Sequence, residues 1–285
     1  MSHHRSALAL AVLSLAACGG ESKKPEAAPP AANAAAPAGF TVTAKDFAYE
    51  LPDTVTGGLV TVKLVNQGPN LHHVQFAKIA DGHTYAELAE GLKHMKPTDA
   101  PPPWITFIAG PNTPVPGGTS ELTITLDAGN YAVLCLVDAP EHIPHFAHGM
   151  IRPLTVKAPT GPAAPEPKAD VTVAMTDYAW DVQPALAAGT HTLKISNAAQ
   201  QPHEFFVVKL NEGKTADDLA KWAADFKGPP PATPLGGTAA MANGTSAWMT
   251  LTLDKGNYVL LCFIPDAKDG KPHVAHGMIK PFTIN

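Results

Sequence analysis

Cysteine, histidine and methionine recur together twice in this chain. Cys135 is followed by His145, His148 and Met150 in "PHFAHGM", and Cys262 by His273, His276 and Met278 in "PHVAHGM". A thiolate and a thioether are soft ligands and imidazole is intermediate, a mixture suited to an ion that cycles between Cu(I) and Cu(II). A type 1 copper site asks for two imidazoles and one thiolate near a common plane, with a weak thioether on the axis. The chain can meet that demand in each copy: His72, Cys135, His145 and Met150 in the first, His203, Cys262, His273 and Met278 in the second. His148 and His276 are rival choices for the second imidazole. A lone buried cysteine packs as a small hydrophobe and a lone methionine fills gaps in a core. All four residue types in the same order, in both copies, argue for ligands instead.

The elements that would position these residues are also written twice. "TVTAKDFAY" (41–49) aligns with "TVAMTDYAW" (172–180), "HHVQFAKIADG" (72–82) with "HEFFVVKLNEG" (203–213), and "GNYAVLC" (129–135) with "GNYVLLC" (256–262). Two copies are too few for a solenoid, so the pattern implies a tandem duplication of a whole domain. Within a copy, apolar residues alternate with polar ones, as Val60, Val62 and Leu64 do with Thr61 and Lys63, which predicts half-buried strands. One helix is predicted in each copy, over 84–94 and 215–227, opened by Thr84 with Glu87 and by Thr215 with Asp218 as capping boxes. Each copy should be a β-sandwich or barrel carrying one short helix. The Pro- and Gly-rich stretch 96–120 reads as a functional lid or a surface excursion, the excursion being favoured.

At this level the sequence resembles the cupredoxin family, and the resemblance covers both copies. Plastocyanin-like members carry Gly-x-Tyr-x-x-x-Cys, matched by "GNYAVLC" and "GNYVLLC", and then Pro-His-x-x-x-Gly-Met before a closing strand, matched by "PHFAHGMIRPLTV" and "PHVAHGMIKPFTI". The resemblance implies an all-β chain of two tandem cupredoxin-like Greek-key β-sandwich domains. It makes His72 and His203 the remote imidazole ligands and favours His145 and His273 over His148 and His276, whose places would then be near the site mouth. Copper of type 1, one per domain at most, is the implied cofactor. Two departures stand out. The cysteine-to-histidine loop is longer than in plastocyanin-like proteins and resembles that of copper nitrite reductases. The Asn that the family places after the remote histidine, to brace the cysteine loop, is replaced by His73 and Glu204.

The remaining sequence bounds the setting. Residues 1–17 hold Arg5 and an apolar run too short to span a bilayer, which predicts an export signal. "LAAC" with Gly19 resembles a bacterial lipobox and implies lipid on Cys18, with Gly19 favouring the outer membrane, facing the periplasm. Residues 18–39 read as a disordered tether, 40–157 and 170–285 as the two domains, and the Pro/Ala-rich 158–169 as the linker and hinge between them. A net charge of −5 over 285 residues, with no basic cluster, gives no field for nucleic acid. Three cysteines in all, one of them Cys18, leave one per domain and argue against a structural disulfide. The neighbours of Cys135 are Leu134 and Leu136, and those of Cys262 are Leu261 and Phe263, so the flanking histidines that wire a type 1 site to an oxygen-reducing cluster in multicopper oxidases are missing. No catalytic residue is expected. The function expected is single-electron transfer with an unidentified redox protein partner, in a protein held to the membrane by its lipid alone. A copper carrier or buffer, and a metal-free protein-binding module of the envelope, are the alternatives.

Overall fold

The structure, a computed structural model, describes residues 36–95, 101–224 and 227–285; the expected export signal, Cys18 and most of the tether lie outside the described residues. The first half runs β1 (Ala38–Lys45), β2 (Ala48–Glu50), β3 (Thr54–Thr56), β4 (Gly58–Asn66), β5 (Gln75–Ile79), α1 (Tyr85–Leu92), β6 (Ile105–Ala109), β7 (Thr119–Leu126), β8 (Gly129–Leu134) and β9 (Ile151–Lys157). The second repeats it as β10 (Val171–Thr176), β11 (Ala179–Gln183), β12 (Gly189–Asn197), β13 (His203–Leu210), α2 (Ala216–Ala223), β14 (Ala232–Met241), β15 (Ser246–Leu253), β16 (Gly256–Leu261) and β17 (Ile279–Ile284). β1 opens at Ala38, so the last residues assigned to the tether already belong to the sheet.

Alternation does the folding work here. Val60, Val62 and Leu64 of β4 are buried while Lys63 between them is exposed, and each such side chain contributes about 1.5–3 kcal/mol of burial. β2-β1-β4-β7 form one face of the first half and β3-β9-β8-β5-β6 the other, with β1 parallel to β4 and the long connections of a Greek key between the sheets. In the second half β11-β10-β12-β15 and β14-β13-β16-β17 take the same places, with no counterpart of β3 among the described residues. Both helices open with the expected capping boxes, Thr84 with Glu87 and Thr215 with Asp218, and end earlier than the sequence suggested, at Leu92 and Ala223.

The halves share structure. β7 pairs with β15, through Ala247 opposite Ile124 and Trp248 opposite Thr123, so the two outer sheets join into one of eight strands. Residues from both halves form a single buried apolar cluster, and the two lie in one compact unit. The segment 158–169 connects parts of that one compact unit. The stretch 96–120 differs from its expectation as a surface excursion. Among its described residues it supplies β6 and then a buried run, Pro111 to Pro114, that meets β14: Asn112 N–H donates to Gly237 O (3.0 Å) and Ala239 N–H to Gly110 O (2.8 Å). Pairing hides backbone groups that an unpaired edge would expose.

Candidate metal centres

Cysteine, histidine and methionine meet because the backbone ties their loop shut. Cys135 directly follows β8, and its N–H donates to Met150 O (3.2 Å), while Met150 N–H donates to His145 O (3.0 Å) and Phe146 N–H to Cys135 O (3.0 Å). The second half repeats these three bonds at 3.3, 3.0 and 2.9 Å among Cys262, His273, Val274 and Met278. A single 3₁₀ turn, His145–His148 or His273–His276, follows the extended Pro144 or Pro272 and is ended by Gly149 (φ 101°) or Gly277 (φ 88°). That left-handed corner costs glycine little, and it turns the methionine back beneath the cysteine.

Three donor atoms converge in each half. Cys135 Sγ lies 3.5 Å from His145 Nδ1, which lies 3.1 Å from His72 Nδ1. Cys262 Sγ lies 3.3 Å from His273 Nδ1 and 3.9 Å from His203 Nδ1. In both trios the donor atoms are all within 4.8 Å of one another and every residue is buried. Met150 and Met278 are fully buried beside them. His148 and His276 stay outside the trios, exposed, bonded to Glu141 (2.9 Å) and Asp269 (3.1 Å). Asp266, Asp269 and His276 also gather near the second site, but Asp266 and Asp269 already accept hydrogen bonds from Tyr178, Gln201, Lys268, Lys271 and His276.

The donor atoms are in the state a cation needs. His72 Nε2–H donates to Asp46 (2.9 Å) and His203 Nε2–H to Asp177 (3.0 Å), which leaves each Nδ1 lone pair facing inward. Burial, reinforced by the neighbouring imidazole, lowers His145 and His273 to about 4, so both are neutral at ordinary pH. Burial also pushes the Cys135 thiol up to about 11 and the Cys262 thiol upward. Backbone N–H groups of His73 and Val137 point at the first sulfur, and those of Glu204 and Ile264 at the second. They favour the thiolate that a cation would stabilise. Two neutral imidazoles, a thiol relieved by ionisation and a buried thioether fit the donor set of type 1 copper.

His73 and Glu204 perform the bracing expected of the missing Asn. His73 Nε2 accepts from Leu136 N–H (2.8 Å), and Glu204 Oε1 accepts from Phe263 N–H (2.5 Å), so each holds the residue after the cysteine. Burial, with the neighbouring histidines, lowers His73 to about 3 and keeps it neutral, whereas burial raises Glu204 to about 7. Behind them, Tyr49 OH donates to His73 O and Trp180 Nε1–H to Glu204 O (3.3 Å).

Two Greek-key sandwiches each hold this constellation between a strand end and the closing strand. The fold is cupredoxin-like in both halves. No protein-family model matches the chain, and no curated protein does. Among solved structures it is similar to dithionite-reduced auracyanin of Roseiflexus castenholzii, at 23% identity over 43% of this chain and 99% of that one, with a TM-score of 0.31. Auracyanin A of Chloroflexus aurantiacus, a blue copper protein, aligns at 21% identity over 42% and 99% of the two chains, with a TM-score of 0.29. A blue copper oxidase from Nitrosomonas europaea aligns at 15% identity over 86% and 85%, with a TM-score of 0.25.

Reasoning from sequence passed over five residues that the site uses. Asp46 and Asp177 anchor the remote imidazoles, and the aromatic that follows each covers the other one: Phe47 meets His145 edge-on at 5.2 Å, and Tyr178 meets His273 at 5.4 Å. The signal was present as an Asp-aromatic pair, "DF" and "DY", at matching places in the two copies. Asn112, which donates to Glu204 Oε2 (3.1 Å) from the other half, has no such signal.

Proposed function

We propose that this chain is a single-electron carrier that holds type 1 copper in each of two tandem domains, 40–157 and 170–285, exported and lipid-anchored through Cys18 at the outer membrane. The observation that carries the copper reading is the convergence, in both halves, of two inward-facing Nδ1 atoms and one cysteine sulfur beside a buried methionine. Copper bound by such a set supplies reversible one-electron chemistry. The protein's part is to keep the geometry fixed while charge changes. Asp46 and Asp177 hold the remote imidazoles by Nε2, His73 and Glu204 hold the cysteine loops, and Phe47 and Tyr178 shield the other imidazoles from water. Four protein donors leave no position for a substrate, which supports transfer to a protein partner over catalysis. Anchoring rests on the lipobox-like "LAAC" alone.

The test is to load the full chain with Cu(II) and record visible and electron paramagnetic resonance spectra. An intense thiolate-to-copper band with narrow parallel hyperfine splitting is expected, lost when Cys135→Ala and Cys262→Ala are combined. A colourless, folded protein that retains no Cu(II) would refute the electron-transfer reading. Cu(I) binding would then indicate a carrier, and no binding at all a metal-free module. Cys18→Ala should move the protein from the membrane to the soluble fraction; unchanged partition would remove the lipid anchor.

A further inference from the structure

The two sites are near copies, so the places where they differ carry information. Asp46 and Asp177 match on the remote imidazole, as do Glu141 and Asp269 on the outer histidine, and Tyr49 and Trp180 behind the brace. Two positions break the match. The brace of the first cysteine loop is a neutral imidazole, His73; that of the second is a carboxyl, Glu204, buried to 4% exposure. On the cysteine loop, Ala139 of the first half, whose N–H donates to Ile143 O, is matched by Asp266 of the second, whose N–H donates to Lys271 O; Asp266 is 4% exposed, with a carboxylate oxygen 3.7 Å from His273 Nε2.

Both second-half carboxyls are bonded as anions. Glu204 Oε1 accepts from Phe263 N–H and Oε2 from the Asn112 side-chain amide, so neither oxygen needs a proton to complete its bonding. Asn112 is itself fixed, donating also to Thr238 O (2.9 Å) while its own oxygen accepts from Thr113 N–H (2.7 Å). Asp266 accepts from Tyr178 OH (2.5 Å), Gln201 Nε2 (3.0 Å) and Lys268 N–H (2.8 Å). A fixed negative charge in a water-poor interior stabilises the more positive oxidation state of a nearby ion, and there it is weakly screened.

From this we infer that the two sites differ in reduction potential, the second being the lower, because Glu204, positioned by Asn112 from the other half and seconded by Asp266, places carboxylates where the first site has the neutral His73 and Ala139. The inference deepens the copper reading and rests on it. Glu204 and Asn112 are positioning residues: they act on the Cys262 loop and donate nothing to the ion. Because Asn112 lies in the buried run that joins the halves, the second site's potential depends on the contact between the copies.

The experiment uses the full chain as Cys135→Ala, which retains only the second site, and Cys262→Ala, which retains only the first. Each is titrated spectroelectrochemically on its charge-transfer band, both at the same mildly alkaline pH. The second site should lie lower by more than a tenfold partition of one electron, about 59 mV for a one-electron couple. Adding Glu204→Gln to Cys135→Ala should raise the potential towards that of the first site. Adding Asn112→Ala instead should shift it too, an effect that a purely stabilising contact would not have. Equal potentials, a higher second site, or no response to Glu204→Gln would overturn this inference and leave the copper reading standing. Absence of the band in Cys135→Ala would overturn both for the second site.

Discussion

Acid should loosen the metal-free first half before the second. Unfolded imidazoles titrate near 6.5, but burial holds His73 at about 3 and His145 at about 4 in the folded first half. Between those values the unfolded chain binds more protons, so stability falls as pH falls from about 6.5 towards 4. One pKa unit is worth about 1.4 kcal/mol, so moving from about pH 7 to about 4.5 costs about 2 kcal/mol for each imidazole and about 4 for the pair. In the second half His273, also at about 4, carries a similar cost, but Glu204 is raised from 4.5 to about 7. A raised carboxyl has the opposite sign: the folded state binds its proton more readily, so falling pH through that interval stabilises by about 2 kcal/mol and offsets His273. His72 and His203 are both lowered by burial and both opposed by an aspartate, so they act in the same direction in the two halves. The assay is native-state hydrogen exchange on the metal-free chain at both pH values, corrected for intrinsic rates. Peptides from β5 and β8 should lose protection faster than those from β13 and β16. Equal losses, or earlier loss in β13 and β16, would refute the assignment of neutral, buried His73 against buried Glu204.

Three further outcomes follow from the same geometry. A Cβ at Gly68 would stand 2.6 Å from Asp46 Oδ1 and 2.8 Å from His72 Nε2, so Gly68→Ala should weaken copper binding at the first site by about tenfold in a competition titration, and leave the second site unchanged. At Gly237, φ 142°, a Cβ would fall 1.8 Å from Phe205 O; Gly237→Ala should cost about 3 kcal/mol or more in urea denaturation, and a loss below about 1 would mean the backbone has room to move. With the Cys135 thiol at about 11, cation binding displaces its proton, so apparent affinity at the first site should rise about tenfold per pH unit above pH 7 in buffers that do not ligate the metal; a pH-independent affinity would place the metal on other atoms.

Much of this molecule was legible as sequence, for physical reasons. Strand alternation is local, and a buried face of Val60, Val62 and Leu64 leaves its period in the chain. Capping boxes are local too, and Thr84 and Thr215 were found by the acidic residue three places on. The ligand loop could be read because cysteine, histidine and methionine lie close in sequence and are tied by short-range backbone bonds. What escaped depends on long-range placement. Asp46 reaches His72 only after β1 and β4 pair, and Asn112 reaches Glu204 only across the contact between the halves. The run from Pro111 to Pro114 misled for a related cause: proline and glycine usually mark exposed turns, but here the partner strand β14 buries them.

The shared sheet also explains why duplication and divergence go together in this chain. Strands β7 and β15 would each be an edge in an isolated sandwich, and β6 and β14 would each end a second sheet. Joining the copies through both covers these edges, and the contact is more than two surfaces touching: Gln75 donates to Ala240 O (3.0 Å) and Ala242 N–H to Phe107 O (2.8 Å) across it. Once joined, the copies no longer occupy equivalent environments. A buried carboxyl at position 204 would be costly in a free domain, with one oxygen unpartnered. Asn112 supplies the missing donor, and the copy that receives it can keep a charge beside its cysteine loop. The asymmetry between the sites is therefore a consequence of fusion, and cutting the contact at Asn112 should reach the second centre without touching any of its four candidate ligands.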